Sequence, residues 1–284
     1  MPAMTPSEIK SVLSEMGGFA NKRLGQHFLI DDSVLKTIVE AAQIKKGERV
    51  LEVGPGLGVL TGALIEQGAD VMAIEQDRRF VKYLSDNSSR PPLRLRGGVQ
   101  QDGGVMLVHG DAAKTDWDAL VGDQPWKFVS NLPYSITSLA LRKALWSESV
   151  PEKIAVLVQR EVAERAIAKD GKTSLLSLMV ALASHEGRIV KRVPAGCFYP
   201  APKVESAILE IAPMTKADRI KKWGMDPEKI MALAKKGFAH PRKLLASNLG
   251  INQTVLTGLT LNPKARAEDL SPDDWAKLTL TLSS

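Results

Sequence analysis

The chain has 284 residues, of which 44% are hydrophobic and 25% are charged. This composition is that of a globular protein and is too apolar for a disordered chain, and the length favours one large domain plus a smaller one. The formal net charge of +6 is compatible with an acidic partner. The single cysteine, Cys197, excludes a disulfide framework and a cysteine-based zinc site within the chain.

The sequence carries no targeting or metal-binding signal. Residues 1–18 lack an apolar export segment, and no apolar run approaches the ~18 residues that span a bilayer. We therefore expect a cytoplasmic protein with no membrane partner. The histidines have no metal-ligand spacing, so we predict no metal site.

Two helices separated by a polar loop are predicted at the start of the chain. Thr5 and Glu8 form a capping-box pattern at the beginning of a helix that runs to about Met16. A second helical pattern covers residues 33–42. The basic, glycine-containing segment 21–27 between them is a candidate ligand flap.

Short β-branched apolar runs alternate with helical patterns from residue 49 to residue 211, which is typical of an α/β sheet covered by helices. The first four strands are separated by helical segments, as parallel crossovers require. The last two are joined by a proline-rich loop without room for a helix, so they should pair antiparallel at one edge. The predicted strands cover residues 50–53, 71–75, 105–109, 128–130, 154–159, 188–193 and 205–211.

The remainder of the chain predicts a surface loop and a helical domain. Segment 88–104 is rich in Pro, Gly, Arg and Gln and is predicted to be a long loop, more often a tolerated insertion than an RNA contact. We place an α/β domain at 1–213, with a helical extension at 1–20, and a helical domain at 214–284. The helices of the second domain are predicted at 227–238, 242–249, 254–259 and 272–282, the last capped by Ser271.

Positive charge is concentrated near the start of this helical domain. Residues 186–243 hold 13 Lys or Arg against 6 Asp or Glu, an excess of seven. This pattern is typical of a surface that binds a phosphate backbone, although a solvated helical face would show it as well.

A glycine turn containing Gly54 and Gly56 follows the first predicted strand. Glycines there let the backbone pass close beneath a ligand at the carboxyl end of the strand, where open α/β sheets bind nucleotides; a purely structural turn is the alternative. Glu75 ends the next strand, 21 residues beyond Gly54, where an acid for ribose hydroxyls is expected. Asp111 follows the third strand, where its carboxylate would accept a bond from an adenine amino group, unless both acids are surface or capping residues.

The fourth strand closes with the tetrad Asn131, Leu132, Pro133 and Tyr134. An exocyclic amine is hard to methylate because its lone pair is delocalised into the ring. Acceptors on the Asn131 side chain and the Leu132 carbonyl would favour a pyramidal nitrogen, and Pro133 would make them converge. The Tyr134 ring would stack on the base. A turn with a buried tyrosine is the alternative.

A second aromatic segment lies between the last two strands. Phe198 would close over the opposite face of a flipped base, and Lys203 would contact a phosphate. A phenylalanine of the core is the alternative reading of Phe198.

Together these motifs resemble the ribosomal RNA adenine dimethyltransferase family, and within it the bacterial branch that acts on 16S rRNA. The resemblance covers about residues 21–249. It departs from the family pattern in the expanded segment 88–104 and at Pro241, where the family often has a second arginine. The matching motifs are KRLGQHFLID, LEVGPGLGVLT, GDA, NLPY, FYPAPKVES and FAHPRKLLASNL.

The resemblance implies a Rossmann-like, seven-stranded methyltransferase domain with a small all-helical C-terminal domain. It implies S-adenosylmethionine as cofactor and a monomer that converts two adjacent adenines, in a 3′-terminal hairpin of 16S rRNA within an immature 30S subunit, to N6,N6-dimethyladenosine. Carried over by position, the residues that contact the cofactor are His27, Leu29, Gly54, Glu75, Asp111 and Asn131. The residues that hold the base are Asn131, Leu132, Tyr134 and Phe198.

Three other functions share parts of this pattern. A 23S rRNA adenine methyltransferase of the macrolide-resistance type would share the tetrad and the glycine turn. A non-catalytic RNA-binding factor on the same scaffold would not need the intact tetrad. A DNA adenine methyltransferase would need a sequence-reading domain that the sequence does not show.

Overall fold

The computed structural model describes residues 2–20, 25–87, 93–94, 104–168 and 172–283. The chain divides into two compact units. The sheet unit comprises Met1–Ala163 and Gly187–Ala212, and the helical unit comprises Glu164–Glu186 and Pro213–Ser284. The predicted domain boundary at residue 213 lies at this division, but the helical unit also takes residues from before the last strands. The sequence did not indicate that Glu164–Glu186 belong to the helical unit, because a helical segment between two strands looks the same as an ordinary crossover connection.

One mixed sheet runs through the sheet unit. Its strands are β2 (Arg49–Val53), β3 (Asp70–Glu75), β4 (Leu93–Arg94), β5 (Val105–His109), β6 (Trp126–Asn131), β7 (Lys153–Gln159), β8 (Ser184–Val193) and β10 (Ser206–Pro213). Their spatial order is β4-β5-β3-β2-β6-β7-β10-β8. The pairs from β4 to β7 are parallel, and β10 is antiparallel to β7.

All seven predicted strands are present, with β8 and β10 adjacent at one edge as expected. The additional strand β4 lies within segment 88–104, and residues 88–92 and 95–103 of that predicted loop lie outside the described residues. A separate two-stranded ribbon pairs β1 (Phe28–Leu29) with β9 (Phe198–Tyr199). It was not predicted, because two residues are too few to show a period.

Helices surround the sheet because each has one apolar side. They are α1 (Pro6–Glu15), α2 (Asp32–Ala42), α3 (Val59–Glu66), α4 (Arg78–Asp86), α5 (Trp117–Val121), α6 (Thr137–Leu145) and α7 (Arg160–Ala166), which crosses into the helical unit. Helix α2 buries Val34, Leu35 and Ile38 against the sheet. Its N-terminus is capped by Asp31, whose side chain accepts the Val34 N–H at 3.0 Å.

The helical unit consists of short helices. The six α-helices that lie entirely within its described residues are α8 (Leu175–Ala183), α9 (Lys216–Trp223), α10 (Pro227–Gly237), α11 (Leu245–Leu249), α12 (Gln253–Gly258) and α13 (Pro272–Ser283). The last four of these were predicted. Ser271 caps α13 as expected, accepting the Asp274 N–H at 3.2 Å. Helix α11 begins later than predicted because residues 240–243 form a turn closed by Lys243 N–H and the His240 carbonyl.

Helix α9 was not predicted. It is mostly polar and buries only Arg219 and Trp223. Tertiary contacts hold it instead, since the Trp223 indole donates to the Leu182 carbonyl at 3.0 Å. No helix among the described residues has the length and apolarity needed to cross a membrane.

Candidate active site

A cleft opens where parallel strands β2, β3, β5 and β6 end at the same edge of the sheet. Turns after all four strands contribute to its lining, together with β1 and the residues just before it. This is the edge at which open α/β sheets bind ligands. Ten predicted site residues line the cleft: His27, Leu29, Gly54, Gly56, Glu75, Asp111, Asn131, Leu132, Pro133 and Tyr134.

The glycine turn and the tetrad lie directly against each other. Gly54 has a φ of +72°, a conformation that L side chains rarely adopt, and a β-carbon added there would be 3.1 Å from the Pro133 ring. The Gly54 N–H donates to the Ile74 carbonyl at 2.8 Å, which fixes the turn to β3. Only glycine allows this close approach without strain.

Glu75 joins the ends of β2 and β3. One carboxylate oxygen accepts the Gly56 N–H at 3.1 Å, and the other accepts the Asp77 N–H at 2.8 Å. Burial raises the pKa of Glu75, and the backbone donors partly oppose that shift. The carboxylate is therefore held rigidly in the wall of the cleft.

A second acid, Glu52, lines the same cleft and was not singled out from the sequence. It is 1% exposed and accepts the Thr61 hydroxyl at 2.6 Å. Burial raises its pKa to about 8, with the charge of Glu75 adding to the effect. The available signal was an acidic residue between apolar residues of β2.

The Asn131 side chain is oriented by the chain before β1. Its amide nitrogen donates to the His27 carbonyl at 3.3 Å. Its side-chain oxygen accepts no hydrogen bond from the described part of the chain. Below it, the Ser130 hydroxyl donates to the Val53 carbonyl at 2.6 Å and ties β6 to β2. An acceptor atom is thus available at the cleft wall.

Tyr134 is fixed at both ends. Its ring stacks on His27 with centroids 5.5 Å apart, and its hydroxyl shares a 2.6 Å hydrogen bond with Ser206. The His27 Nδ1 donates to the Pro200 carbonyl at 2.7 Å. Burial raises the pKa of the Tyr134 phenol, and the hydrogen bond with Ser206 partly opposes that shift.

Two further predicted positions lie on the cleft. The Asp111 carboxylate accepts the Ala113 N–H at 2.9 Å, which closes a turn after β5. Leu29 is buried in β1, where it pairs with Phe198 of β9.

Phe198 is not where the base-closing role requires it. Its ring is 3% exposed and belongs to the apolar core, not to the cleft lining. The reason is alternation along β9: its partner in the ribbon is the buried Leu29, and its neighbour Tyr199 is the half-buried one. Lys203 is exposed and does not line the cleft.

Comparison with known proteins gives the family. Residues 18–283 match the family model described as ribosomal RNA adenine dimethylase. The chain belongs to this family. A ribosomal RNA small subunit methyltransferase A from Dehalococcoides mccartyi is 38% identical over 98% of this chain and 94% of its own length. One of the same name from Phenylobacterium zucineum is 36% identical over 94% of this chain and 90% of its own length.

Solved structures agree on the fold of this dimethylase. A dimethyladenosine transferase from Plasmodium falciparum has a TM-score of 0.71 at 24% identity, covering 90% of this chain and 98% of its own. The 23S rRNA methyltransferase ErmE has a TM-score of 0.64 at 23% identity, covering 90% and 100%. The protein is an adenine dimethyltransferase of ribosomal RNA that uses S-adenosylmethionine.

Proposed function

We propose that this dimethylase acts on small-subunit rRNA. Its substrates would be two adjacent adenines in a 3′-terminal hairpin of 16S rRNA within an immature 30S subunit, and the enzyme would act as a monomer. The names of the curated relatives support the assignment to the small ribosomal subunit. The observation that carries the catalytic part is the contact of the tetrad with the glycine turn, because it brings the turn proposed to orient the base and the turn proposed to bind the cofactor into one cleft.

We assign the cofactor to the glycine-turn side of this cleft. Glu75 suits the ribose hydroxyls, because one backbone N–H holds each carboxylate oxygen in place and each oxygen keeps a further lone pair for a hydroxyl. Asp111 suits the adenine amino group, and Gly56 allows close passage of the ligand. The other residues proposed to contact the cofactor are His27, Leu29, Gly54 and Asn131.

The tetrad would hold the target amine. The Asn131 side-chain oxygen and the Leu132 carbonyl would accept its two hydrogens, which localises the lone pair on N6 and aims it outward. Pro133 fixes the turn against Gly54, and Tyr134 offers a ring already held by Ser206. The bound cofactor supplies an electrophilic sulfonium methyl group.

The chemistry needs positioning and not an activated nucleophile. The bound cofactor would supply the methyl carbon and would take up the electrons of its carbon–sulfur bond as the N6 lone pair bonds to that carbon. The tetrad would aim this lone pair, and the surplus N6 proton would pass to solvent. Holding both reactants in line contributes up to ~7 to 11 kcal/mol in ideal cases. Tetrad residues would do this by fixing the amine between two acceptors.

Methyl incorporation from labelled cofactor tests the substrate. We expect labelling of immature 30S subunits, with mass spectrometry locating two dimethyladenosines in the 3′-terminal hairpin of 16S rRNA. Protein-free 23S rRNA should remain unlabelled. Labelling confined to 23S rRNA would replace the proposed substrate by the macrolide-resistance type, and cofactor binding without any transfer would leave only an assembly role.

A further inference from the structure

Helix α1 packs against the side chains that form the back wall of the cleft. One apolar cluster, here called the α1 cluster, consists of Ile9, Leu13, Phe28, Leu57 and Phe80. Its first two members come from α1. The other three line the cleft, from β1, the glycine turn and α4 respectively. The helix itself contributes no residue to the cleft lining.

The contacts within this wall are close. The Phe28 and Phe80 rings meet edge to face, with centroids 5.6 Å apart at 73°. A β-carbon added at Gly56 would be 3.4 Å from the Phe28 ring. Phe28 therefore packs against the glycine turn, and Ile9, a fully buried member of the same cluster, packs with it from α1.

Helix α1 is fixed in place at several points. Thr5 and Glu8 form its capping box, and the Ala3 N–H donates to Asp32 at 2.5 Å. Lys10 lies over the Tyr199 ring at 5.4 Å, which ties the helix to the β1–β9 ribbon. The helix nevertheless lies outside residues 18–283, which match the family model.

We propose that α1 is a positioning element of the cofactor site, acting through Ile9 and Leu13 on the cleft wall formed by Phe28, Leu57 and Phe80. Close-packed interiors are stiff and transmit displacement, whereas a cavity behind a wall lets its side chains move inward. The helix therefore sets the width of the cleft beside the glycine turn. This inference rests on the proposed placing of the cofactor in the cleft.

Cofactor affinity of the full-length protein, measured by calorimetric titration with S-adenosylhomocysteine, tests the proposal. Ile9→Ala should raise the dissociation constant at least fivefold and leave kcat at saturating cofactor within twofold of native. Ile9→Val should restore most of the affinity. Leu13→Ala, measured in parallel, should also raise the dissociation constant. It replaces Ile9→Ala as the test if that variant does not fold.

The matched control is Ile211→Ala. Ile211 is also fully buried in the sheet unit, but it pairs with Ile154 at the start of β7, opposite the cleft edge. All three alanine variants should lower the midpoint of thermal unfolding, and only the two in α1 should weaken cofactor binding. Native affinity in both α1 variants, or an equal loss in Ile211→Ala, would overturn the inference.

Glu75→Ala separates this inference from the proposed cofactor site. If Glu75→Ala weakens binding and the α1 variants do not, the cofactor occupies the cleft and α1 has only a structural role. If Glu75→Ala and the α1 variants all bind normally, the placing of the cofactor fails as well.

Discussion

Asn131 combines two functions in one side chain. Its amide nitrogen is held by the His27 carbonyl, so the amide group cannot rotate freely, and its oxygen is left as an acceptor at the cleft wall. An amide suits this position better than a carboxylate, because a carboxylate would have no hydrogen to donate to His27. The neighbouring Ser130 and Pro133 fix the backbone on either side.

Asn131→Ala is expected to lose methyl transfer by on the order of 100-fold, the usual effect of removing one positioned hydrogen-bonding group at a reacting centre. The loss should appear in kcat at saturating cofactor, and RNA binding measured by filter retention should change little. Asn87→Ala, at the exposed end of α4, is the control and should be fully active. A fully active Asn131→Ala enzyme would contradict the orienting role.

The raised pKa of Glu52 predicts that the stability of the ligand-free protein depends on pH. Its pKa is about 8 in the folded chain against a usual value of 4.5, so the folded state keeps a proton that the unfolded state releases. Its contribution is therefore fully present below about pH 4.5 and is lost as pH rises toward 8, by at most ~1.4 kcal/mol per pH unit. Urea denaturation between pH 5 and pH 8 measures this slope.

Glu52→Gln should flatten that slope, since glutamine imitates the protonated acid. Glu40→Gln, an exposed position on α2, should keep the native pH dependence. An unchanged slope in Glu52→Gln would show that other groups are responsible.

At the scale of elements, the site depends on how two turns fit together. The turn from β2 to α3 and the turn after β6 come from strands that are neighbours in the sheet. Their contact at Gly54 and Pro133 requires both a positive φ and the absence of a β-carbon. The antiparallel β1–β9 ribbon then brings His27 against Tyr134 from the other side.

Gly54→Ala should therefore damage the site as well as the fold. The added methyl group meets the Pro133 ring, and the left-handed backbone costs a further ~1 to 2 kcal/mol. We expect a lower unfolding midpoint and at least tenfold weaker cofactor binding. Gly47→Ala is the matched control, since Gly47 has a φ of +82° with nothing within 4 Å of the added carbon. It should lose stability and retain cofactor affinity; equal affinity in both variants would exclude a specific role for the Gly54 contact.

At the scale of the whole molecule, chemistry and basic charge are carried by different parts of the chain. The cleft residues all belong to the sheet unit. The helical unit holds much of the positive charge of residues 186–243, including exposed lysines at the end of α10. Exposed lysines suit phosphate groups, which bind mainly by charge.

Lys236→Glu tests this division of roles. It should weaken binding of the rRNA particle and reduce the slope of log affinity against log salt by about 1, while cofactor affinity stays native. Lys36→Glu makes the same change of charge at an exposed position on α2. It is the control and should leave the salt slope unchanged. Equal effects of the two substitutions would indicate only a general charge effect.

The sequence by itself determined seven strands of the large sheet, most of the helices and ten of the cleft residues. Buried strands show as apolar runs, caps are local patterns, and the carboxyl ends of parallel strands must share one edge. The sequence alone therefore predicts that Gly54, Glu75, Asp111 and Asn131 lie close together. Only the tertiary structure decided which side Phe198 faces, that Glu52 is buried beside Glu75, that α9 forms, and that α1 packs against side chains of the cleft wall. These features depend on contacts between residues far apart in the chain, and packing of that kind leaves no periodic or local signal.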